Sequence, residues 1–180
     1  GTFTGYGEGF DLEAAPTRLQ ALIMFIRVLG EEEQALAWSG TTPFKDIEKG
    51  SQAEHYVGYA YEKGYTNGYT ATSFKPAGAV NAYQYTEFVL RAMGYSSAAN
   101  KDLSDTLLRA VNAGVLTDGD AAMLQSAAFL RAQLVYISYY ALEADLPDGS
   151  QSLADYLMDL GVFTRDEWRS SWKLVKSERL

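Results

Sequence analysis

The protein has 180 residues, 47% of them hydrophobic and 21% charged, and this size and composition are typical of a single compact domain. Its formal net charge of -8 at pH 7 argues against sequence-independent binding to nucleic-acid phosphates. The chain contains no cysteine, which excludes disulfides, thiolate metal ligands and a cysteine nucleophile. No apolar run approaches the roughly 20 residues that a membrane-spanning helix needs. The first residue is not Met, and we expect the chain to be a piece of a longer protein.

The sequence contains internal repeats. Residues of the first 30 positions recur 63 or 64 positions later, the pairs being Gly5 and Gly68, Tyr6 and Tyr69, Gln20 and Gln84, Arg27 and Arg91, and Gly30 and Gly94. A fainter third copy follows at an offset of 113, where Gly114, Thr117, Arg131 and Gln133 match Gly1, Thr4, Arg18 and Gln20. We therefore divide the domain, 1–180, into repeats of about 1–40, 41–98 and 99–149 and a closing segment, 150–180.

Each repeat is predicted to be a helix, a loop and a second helix. In the first copy, one helix face carries Leu19, Leu22, Ile23, Ile26 and Leu29, with Pro16 opening the helix at its first turn and Gly30 closing it. The second copy predicts helices over about 54–63 and 81–93, joined by a loop rich in glycine and tyrosine. The third predicts helices over about 103–113 and 129–142, with "DGDAAM" in place of the glycine-tyrosine turn.

The first repeat lacks a leading helix, and the closing segment can supply one. Residues 152–164 have an amphipathic helical pattern that ends in Gly-x-x-Thr, as residues 107–117 do. We predict that this helix packs beside the first copy and completes a three-fold arrangement. A truncated fourth repeat or a plain capping helix is the alternative.

The repeated motifs resemble the S-layer homology domain of bacterial surface proteins. In that family a repeat opens with Phe-x-Asp-Val, continues through a Gly-Tyr-x-Asp-Gly-Thr-Phe-x-Pro loop, and has a second helix that begins Thr-Arg-Ala-Glu. The similar segments here are "FKDI" at 44–47, "GYGEGF" at 5–10, "GYT…SFKP" at 68–76, "PTRLQ" at 16–20 and "FLRAQ" at 129–133. The second copy departs from the family because Ala82 stands where the Arg is expected, and Gln replaces Glu in all three copies.

The resemblance implies an all-α domain in which three helix-loop-helix repeats form a pseudo-three-fold helical prism, the C-terminal helix completing the first repeat. It also implies a non-catalytic, extracellular anchoring module at the cell wall of a Gram-positive-type bacterium. Its ligand would be an anionic secondary cell-wall polysaccharide, often one with pyruvylated sugars. No cofactor or metal is expected. Other domains of the parent protein are further expected partners, whereas nucleic acid and membrane insertion are not.

Arg18 and Arg131 are the predicted cations of the binding sites. A cation in the first turn of a helix opposes the helix dipole by about a few tenths of a kcal/mol, so we expect a compensating anion. Exposed backbone N–H groups at the helix start and the guanidinium would hold that anion jointly. A salt bridge to a neighbouring acid is the alternative. Exposure of the two arginines in grooves would therefore favour glycan binding, and their pairing with acids would favour an interaction module.

Five further residues complete the predicted ligand site. Three of them would shape the pocket and two would offer a ring to a sugar: Thr17, Gln20 and Gln133, then Tyr6 and Tyr69. Helix capping explains Thr17 and Gln20, and likewise Asn81 and Gln84, without any ligand. Covering of the helix ends is the corresponding structural role for Tyr69.

Two other functions compete with glycan anchoring. The net charge of -8 and the missing Arg at Ala82 favour a degenerate repeat module for protein interaction or packing within a larger surface protein. An acid-base glycan hydrolase ranks far below, because any acidic chain offers carboxylate pairs. His55, the one histidine, is expected at the surface, and residues 31–33 are expected to be a solvated helix end.

Overall fold

A computed structural model describes residues 11–96 and 102–174 of the chain. Within these ranges the protein is helical, with isolated β-bridges and no strand. The helices are α1 (Arg18–Val28), α2 (Glu32–Ala37), α3 (Gln52–Glu62), α4 (Ala82–Ala92), α5 (Thr106–Asn112), α6 (Asp118–Ser126), α7 (Arg131–Glu143), α8 (Leu153–Asp159) and α9 (Arg165–Leu174). The predicted all-α class is confirmed, and none of the described helices is long and apolar enough to cross a membrane.

The second helices of the three repeats, α1, α4 and α7, contact one another and form the centre of the domain. Phe25 of α1 meets the ring of Tyr85 of α4 edge to face, with centroids 6.1 Å apart. The buried hydroxyl of Tyr85 in turn forms a hydrogen bond with the hydroxyl of Ser138 on α7. These contacts suit a three-fold arrangement, while the full prism stays a prediction.

Each leading helix packs on the second helix of the repeat before it: α3 on α1, α5 on α4, and α8 on α7. This order corrects the predicted place of the closing segment. Its helix α8 packs chiefly on the third repeat, because α3 already covers α1. The turn after α8 reaches the first repeat, where Val162 lies against Gly30.

The helix ends follow local capping chemistry. Thr17 caps α1 in a reciprocal capping box with Gln20, and Asn81 caps α4 with Gln84 in the same way. The predicted capping roles are therefore confirmed. Pro16 lies one residue before the cap and not in the first turn, and the helix is followed by Gly30, whose φ of 72° suits a glycine.

Three local predictions need correction. The expected turn at 118–123 is part of α6, because Thr117 and Asp120 form a capping box there. The run 31–33 is not simply solvated, because Glu31 accepts hydrogen bonds from the hydroxyls of Tyr59 and Tyr65. His55 is half-buried and shares a 2.6 Å hydrogen bond with the carbonyl of Trp38, so its Nδ1 is the donor.

Candidate ligand-binding groove

Arg18 lies where the start of α1 meets the loop of the second repeat. Although cationic, the residue is only 3% exposed. Its Nε donates a 2.7 Å hydrogen bond to the carbonyl of Phe74. The guanidinium carbon also lies 4.9 Å from the ring centre of Phe74, 5.5 Å from that of Phe88 and 5.7 Å from that of Tyr69. Three aromatic rings therefore surround the guanidinium.

Burial of Arg18 is not balanced by a salt bridge among the described residues, since the ion pairs found there involve other side chains. Desolvation lowers the pKa of Arg18 to about 10, against the opposing effects of Tyr69 and Asp46. The site thus keeps a desolvated cation that no carboxylate of the described residues contacts. The prediction of an exposed Arg18 is wrong, because the loop folds over it. The alternative, a salt bridge, is not found in the described part of the chain either.

Asp46, the acid of the "FKDI" segment, holds that loop in place. Its carboxylate accepts hydrogen bonds from the backbone N–H groups of Phe74 and Lys75, at 2.9 and 2.8 Å, and from the hydroxyl of Ser73 at 2.8 Å. Burial raises the pKa of Asp46, but these hydrogen bonds outweigh it and the pKa is lowered. Asp46 therefore positions the Phe74 carbonyl that receives Arg18, a role that the motif contained but sequence analysis did not assign.

The close packing of this loop requires glycine at position 68. Gly68 has a φ of 79°, and a Cβ there would meet the ring of Phe44 at 2.3 Å. Phe44 itself is buried against the rings of Tyr61 and Phe74. The two ends of the matching segments, 44–47 and 68–76, are thus packed directly on each other.

Tyr69 lies at the outer side of the groove and is 47% exposed. The Lys75 ammonium is 3.7 Å from the centre of its ring, and the Arg18 guanidinium approaches the same ring. The structure therefore places Tyr69 beside Arg18, as the sugar-binding hypothesis requires. Lys75 is an additional cation that sequence analysis missed, since nothing in the sequence shows where a loop lysine points.

The backbone at the start of α1 is already occupied. The N–H groups of Arg18 and Leu19 donate to the carbonyls of Gly78 and Pro76, at 2.9 and 3.2 Å, and the N–H of Gln20 donates to the Thr17 hydroxyl. These groups cannot at the same time bind an anion. We predicted that helix N–H groups and the guanidinium would hold an anion together, and this prediction is wrong for the N–H groups. The guanidinium of Arg18 is the remaining group of this predicted site that could bind an anion.

The start of α7 is bonded in the same way to the first repeat. The N–H groups of Arg131 and Ala132 donate to the carbonyls of Ala14 and Leu12, which precede Gly78 and Pro76 by 64 positions. The half-buried Arg131 side chain lies near Gln20, with a long contact of 3.5 Å to its Oε1. This second junction joins the third repeat to the first.

A third junction of this kind would join the third repeat to the start of α4, but the described residues do not form it in this way. The corresponding residues, Gln125 and Ala127, belong to or directly follow α6, and none of the described backbone hydrogen bonds joins them to the start of α4. Ala82, in the position of the arginine, is buried. The second repeat therefore contributes its loop, with Lys75, to the Arg18 groove, but its helix α4 has no arginine at the position equivalent to Arg18.

The remaining predicted pocket residues are engaged in caps. Thr17 and Gln20 cap α1, and Gln133 Oε1 accepts a 2.9 Å hydrogen bond from the N–H of Leu130 before α7. Tyr6 lies outside the described residues. Among the predicted ligand residues, the structure thus brings Arg18 and Tyr69 together at one groove, while Arg131 is at another junction.

A separate cleft of about 530 Å³ lies between α7, α8 and α9 and shares no lining residue with the groove. The ring of Trp168 on its wall is stacked on Tyr139 and Phe163, at centroid distances of 5.2 and 6.0 Å. These contacts attach α9 to the domain. In the described part of the chain, no group of three or more His, Asp or Glu side chains is arranged to hold a metal.

Comparison with known proteins identifies the repeat that supplies the loop of the groove. Residues 43–81 match the family model of the S-layer homology domain. A cell surface protein of Thermoanaerobacter kivui is 30% identical over 126 residues, which cover 64% of this chain and 16% of that protein. The resemblance to the S-layer homology domain is thereby confirmed, with residues 43–81 as its matched repeat. Both comparisons indicate a cell-surface location, and the matched family suggests an anchoring module.

Proposed function

We propose that this chain is a non-catalytic anchoring module that binds an anionic secondary cell-wall polysaccharide in the groove formed by Arg18, Tyr69 and the 68–76 loop. The observation that carries the proposal is the state of Arg18. It is buried, surrounded by rings, and without a carboxylate partner among the described residues. A protein with 23 acidic residues and 15 basic ones could readily supply such a partner.

An anionic ligand would relieve the electrostatic cost of this arrangement. Only the Nε of Arg18 has a hydrogen-bond partner among the described residues, so further guanidinium N–H groups are left to bind a carboxylate. Asp46 cannot easily fill that role, because its oxygens already accept from Ser73, Phe74 and Lys75. A carboxylate of the ligand would replace the solvent that Arg18 lost on folding.

The neighbouring tyrosine suits a sugar. The exposed ring of Tyr69 offers an apolar surface and a hydroxyl beside the cation, and a glycan presents both C–H faces and hydroxyl groups. Pyruvylated sugars of a Gram-positive-type cell wall combine a sugar ring with a carboxylate. Arg131, at the equivalent junction of the first and third repeats, is our candidate for a second contact with the same polymer.

A second candidate function is protein interaction or packing within a larger surface protein. Two observations favour it: the net charge of -8, and the replacement of the third junction by Ala82 and α6. A module that no longer binds glycan could lose an arginine, as at Ala82, and a loop, as at α6, without loss of function. The two functions predict different results when the wall polymer is removed: an anchoring module would no longer bind the walls, whereas binding to a protein partner would not depend on the polymer.

The test is co-sedimentation with purified Gram-positive cell walls, before and after chemical removal of the accessory polymer. We expect the wild type to sediment with intact walls and to remain in solution with stripped walls. The double variant Arg18→Ala/Arg131→Ala should lose binding. Arg165→Ala is the matched control, because Arg165 also begins a helix but is exposed and outside the groove.

The controls separate the outcomes. Circular dichroism must show that each variant is folded at the assay temperature. If the folded wild type fails to sediment with intact walls of the source organism, the anchoring function is rejected and protein partners become the leading candidates. If Arg165→Ala loses binding as strongly as the double variant, the contribution is general positive charge and the groove has no special role.

A further inference from the structure

Lys75 has an unfavourable backbone conformation. It is the one non-glycine residue with a positive φ in the described part of the chain, at 56°. L-residues are disfavoured in this left-handed region, and Pro76, which follows, further restricts its preceding residue to extended conformations. Asp46 keeps the conformation in place by accepting the Lys75 N–H at 2.8 Å. A glycine would fit the backbone here at lower cost, so the lysine side chain needs an explanation.

The side chain places a second cation in the groove. The Lys75 ammonium lies 3.7 Å from the centre of the Tyr69 ring, and the Arg18 guanidinium carbon lies 5.7 Å from the same point. The two charges are therefore no more than about 9.4 Å apart. Like Arg18, Lys75 has no ion pair with any of the described carboxylates. One cation is buried and fixed, and the other is exposed and on a flexible stem.

We propose that Lys75 is the specificity-determining residue of this groove and recognises a carboxylate on the sugar that contacts Tyr69. This inference rests on the proposed anchoring function and adds a selection rule to it. Arg18 alone would accept one anionic group. The pair selects a glycan whose carboxylates are spaced by about one sugar unit or whose single carboxylate lies between the two cations, and it disfavours neutral glycans.

Three substitutions separate charge from backbone strain. Lys75→Arg keeps the charge, Lys75→Met removes the charge but keeps the strain, and Lys75→Gly removes both. We expect Lys75→Met and Lys75→Gly to weaken sedimentation with intact walls by about three- to ten-fold, and Lys75→Arg to bind within about two-fold of wild type. Lys75→Gly should also raise the midpoint of thermal unfolding by about 2–4 °C.

The chemical class of the ligand group is tested with three wall preparations: intact walls, walls stripped of accessory polymer, and walls whose carboxyl groups have been amidated. We expect amidation to weaken wild type and to abolish the difference between wild type and Lys75→Met. Rising salt should weaken binding by the wild type more steeply than binding by Lys75→Met, because the variant has one ionic contact fewer that salt can screen.

Two results would overturn the inference. Lys75→Met that binds intact walls as tightly as wild type shows that Lys75 does not read the ligand, even if Arg18→Ala/Arg131→Ala abolishes binding and the anchoring function stands. Binding that survives amidation with its dependence on Lys75 unchanged assigns the anionic group to phosphate. Failure of wild type itself on intact walls rejects the proposed function, and is distinguishable from both.

Discussion

Two buried charges in this domain are treated in opposite ways. Glu87 of α4 is 2% exposed and accepts hydrogen bonds from Arg91 at 3.0 Å, Arg109 at 2.7 Å and the Thr106 hydroxyl at 3.0 Å. Arg18 of α1 is 3% exposed, donates to one carbonyl and has no described carboxylate in contact. Both residues lie where the second helix of one repeat meets the following repeat.

The different surroundings of Glu87 and Arg18 indicate which of the two buried charges stabilises the fold. The Glu87 cluster joins α4 to α5 and compensates its own burial, so it is complete without a ligand. The Arg18 side chain contacts the 68–76 loop through aromatic rings and one hydrogen bond, and its charge is available to the proposed ligand. The comparison therefore predicts large stability effects at Glu87 and binding effects at Arg18.

The largest effect is expected for Glu87→Ala. The substitution leaves Arg91 and Arg109 without their shared carboxylate inside the α4–α5 contact, and breaking a buried ion pair on one side typically costs about 3–5 kcal/mol. Urea unfolding measures this loss. Glu33→Ala, at an exposed position of α2, is the control and should change stability by less than about 0.5 kcal/mol. Equal losses in both variants would contradict the structural role of the cluster.

Asp46→Ala should have an intermediate effect. It removes the acceptor of three hydrogen bonds, and we expect a loss of about 1–3 kcal/mol in unfolding free energy because Asp46 itself is exposed. The loop that carries Phe74 would also be released, so wall binding should fall together with stability. Asp159→Ala, an exposed acid of α8, is the control. Unchanged wall binding by a folded Asp46→Ala variant would show that the loop does not position Arg18.

The same residue predicts a modest pH dependence. The pKa of Asp46 is lowered in the folded state, so its stabilisation is present above the pKa of the unfolded chain, about 3.9, and is lost as pH falls through the folded value. The stability difference between wild type and Asp46→Ala should therefore be full at pH 7 and shrink below about pH 4. Urea unfolding at a series of pH values tests this. A difference that grows in acid would have the wrong sign.

The smallest stability effect is expected for Arg18→Met. Replacement of a desolvated charge by an apolar side chain of similar length is often neutral, and we expect a change within about 1 kcal/mol in either direction. Wall binding should nevertheless be lost, whereas Glu87→Ala is expected to act mainly on stability. A loss of stability as large as that of Glu87→Ala would sink the distinction between the two buried charges, because Arg18 would then be primarily structural.

Local features of the fold were predictable from sequence. The capping boxes at Thr17 and Asn81 and the helix end at Gly30 depend on residues within three or four positions, so the pattern contains the information. The same holds for the identity of the repeat at 43–81, whose motif residues are adjacent in the chain. The helix at 118–126 was missed because the turn was inferred by analogy with the other repeats, although Thr117 and Asp120 form a local cap.

The burial and the hydrogen-bond partners of the predicted site residues could be read only from the tertiary structure. Sequence analysis singled out Arg18 and Tyr69, but burial of the arginine depends on a loop more than 50 residues away, held by Asp46. It could not show that the helix N–H groups are taken by Gly78 and Pro76, nor that Lys75 points at Tyr69. Capping and repetition are local properties of the chain. Burial, pairing and the competition for hydrogen-bond donors arise only when distant segments pack together.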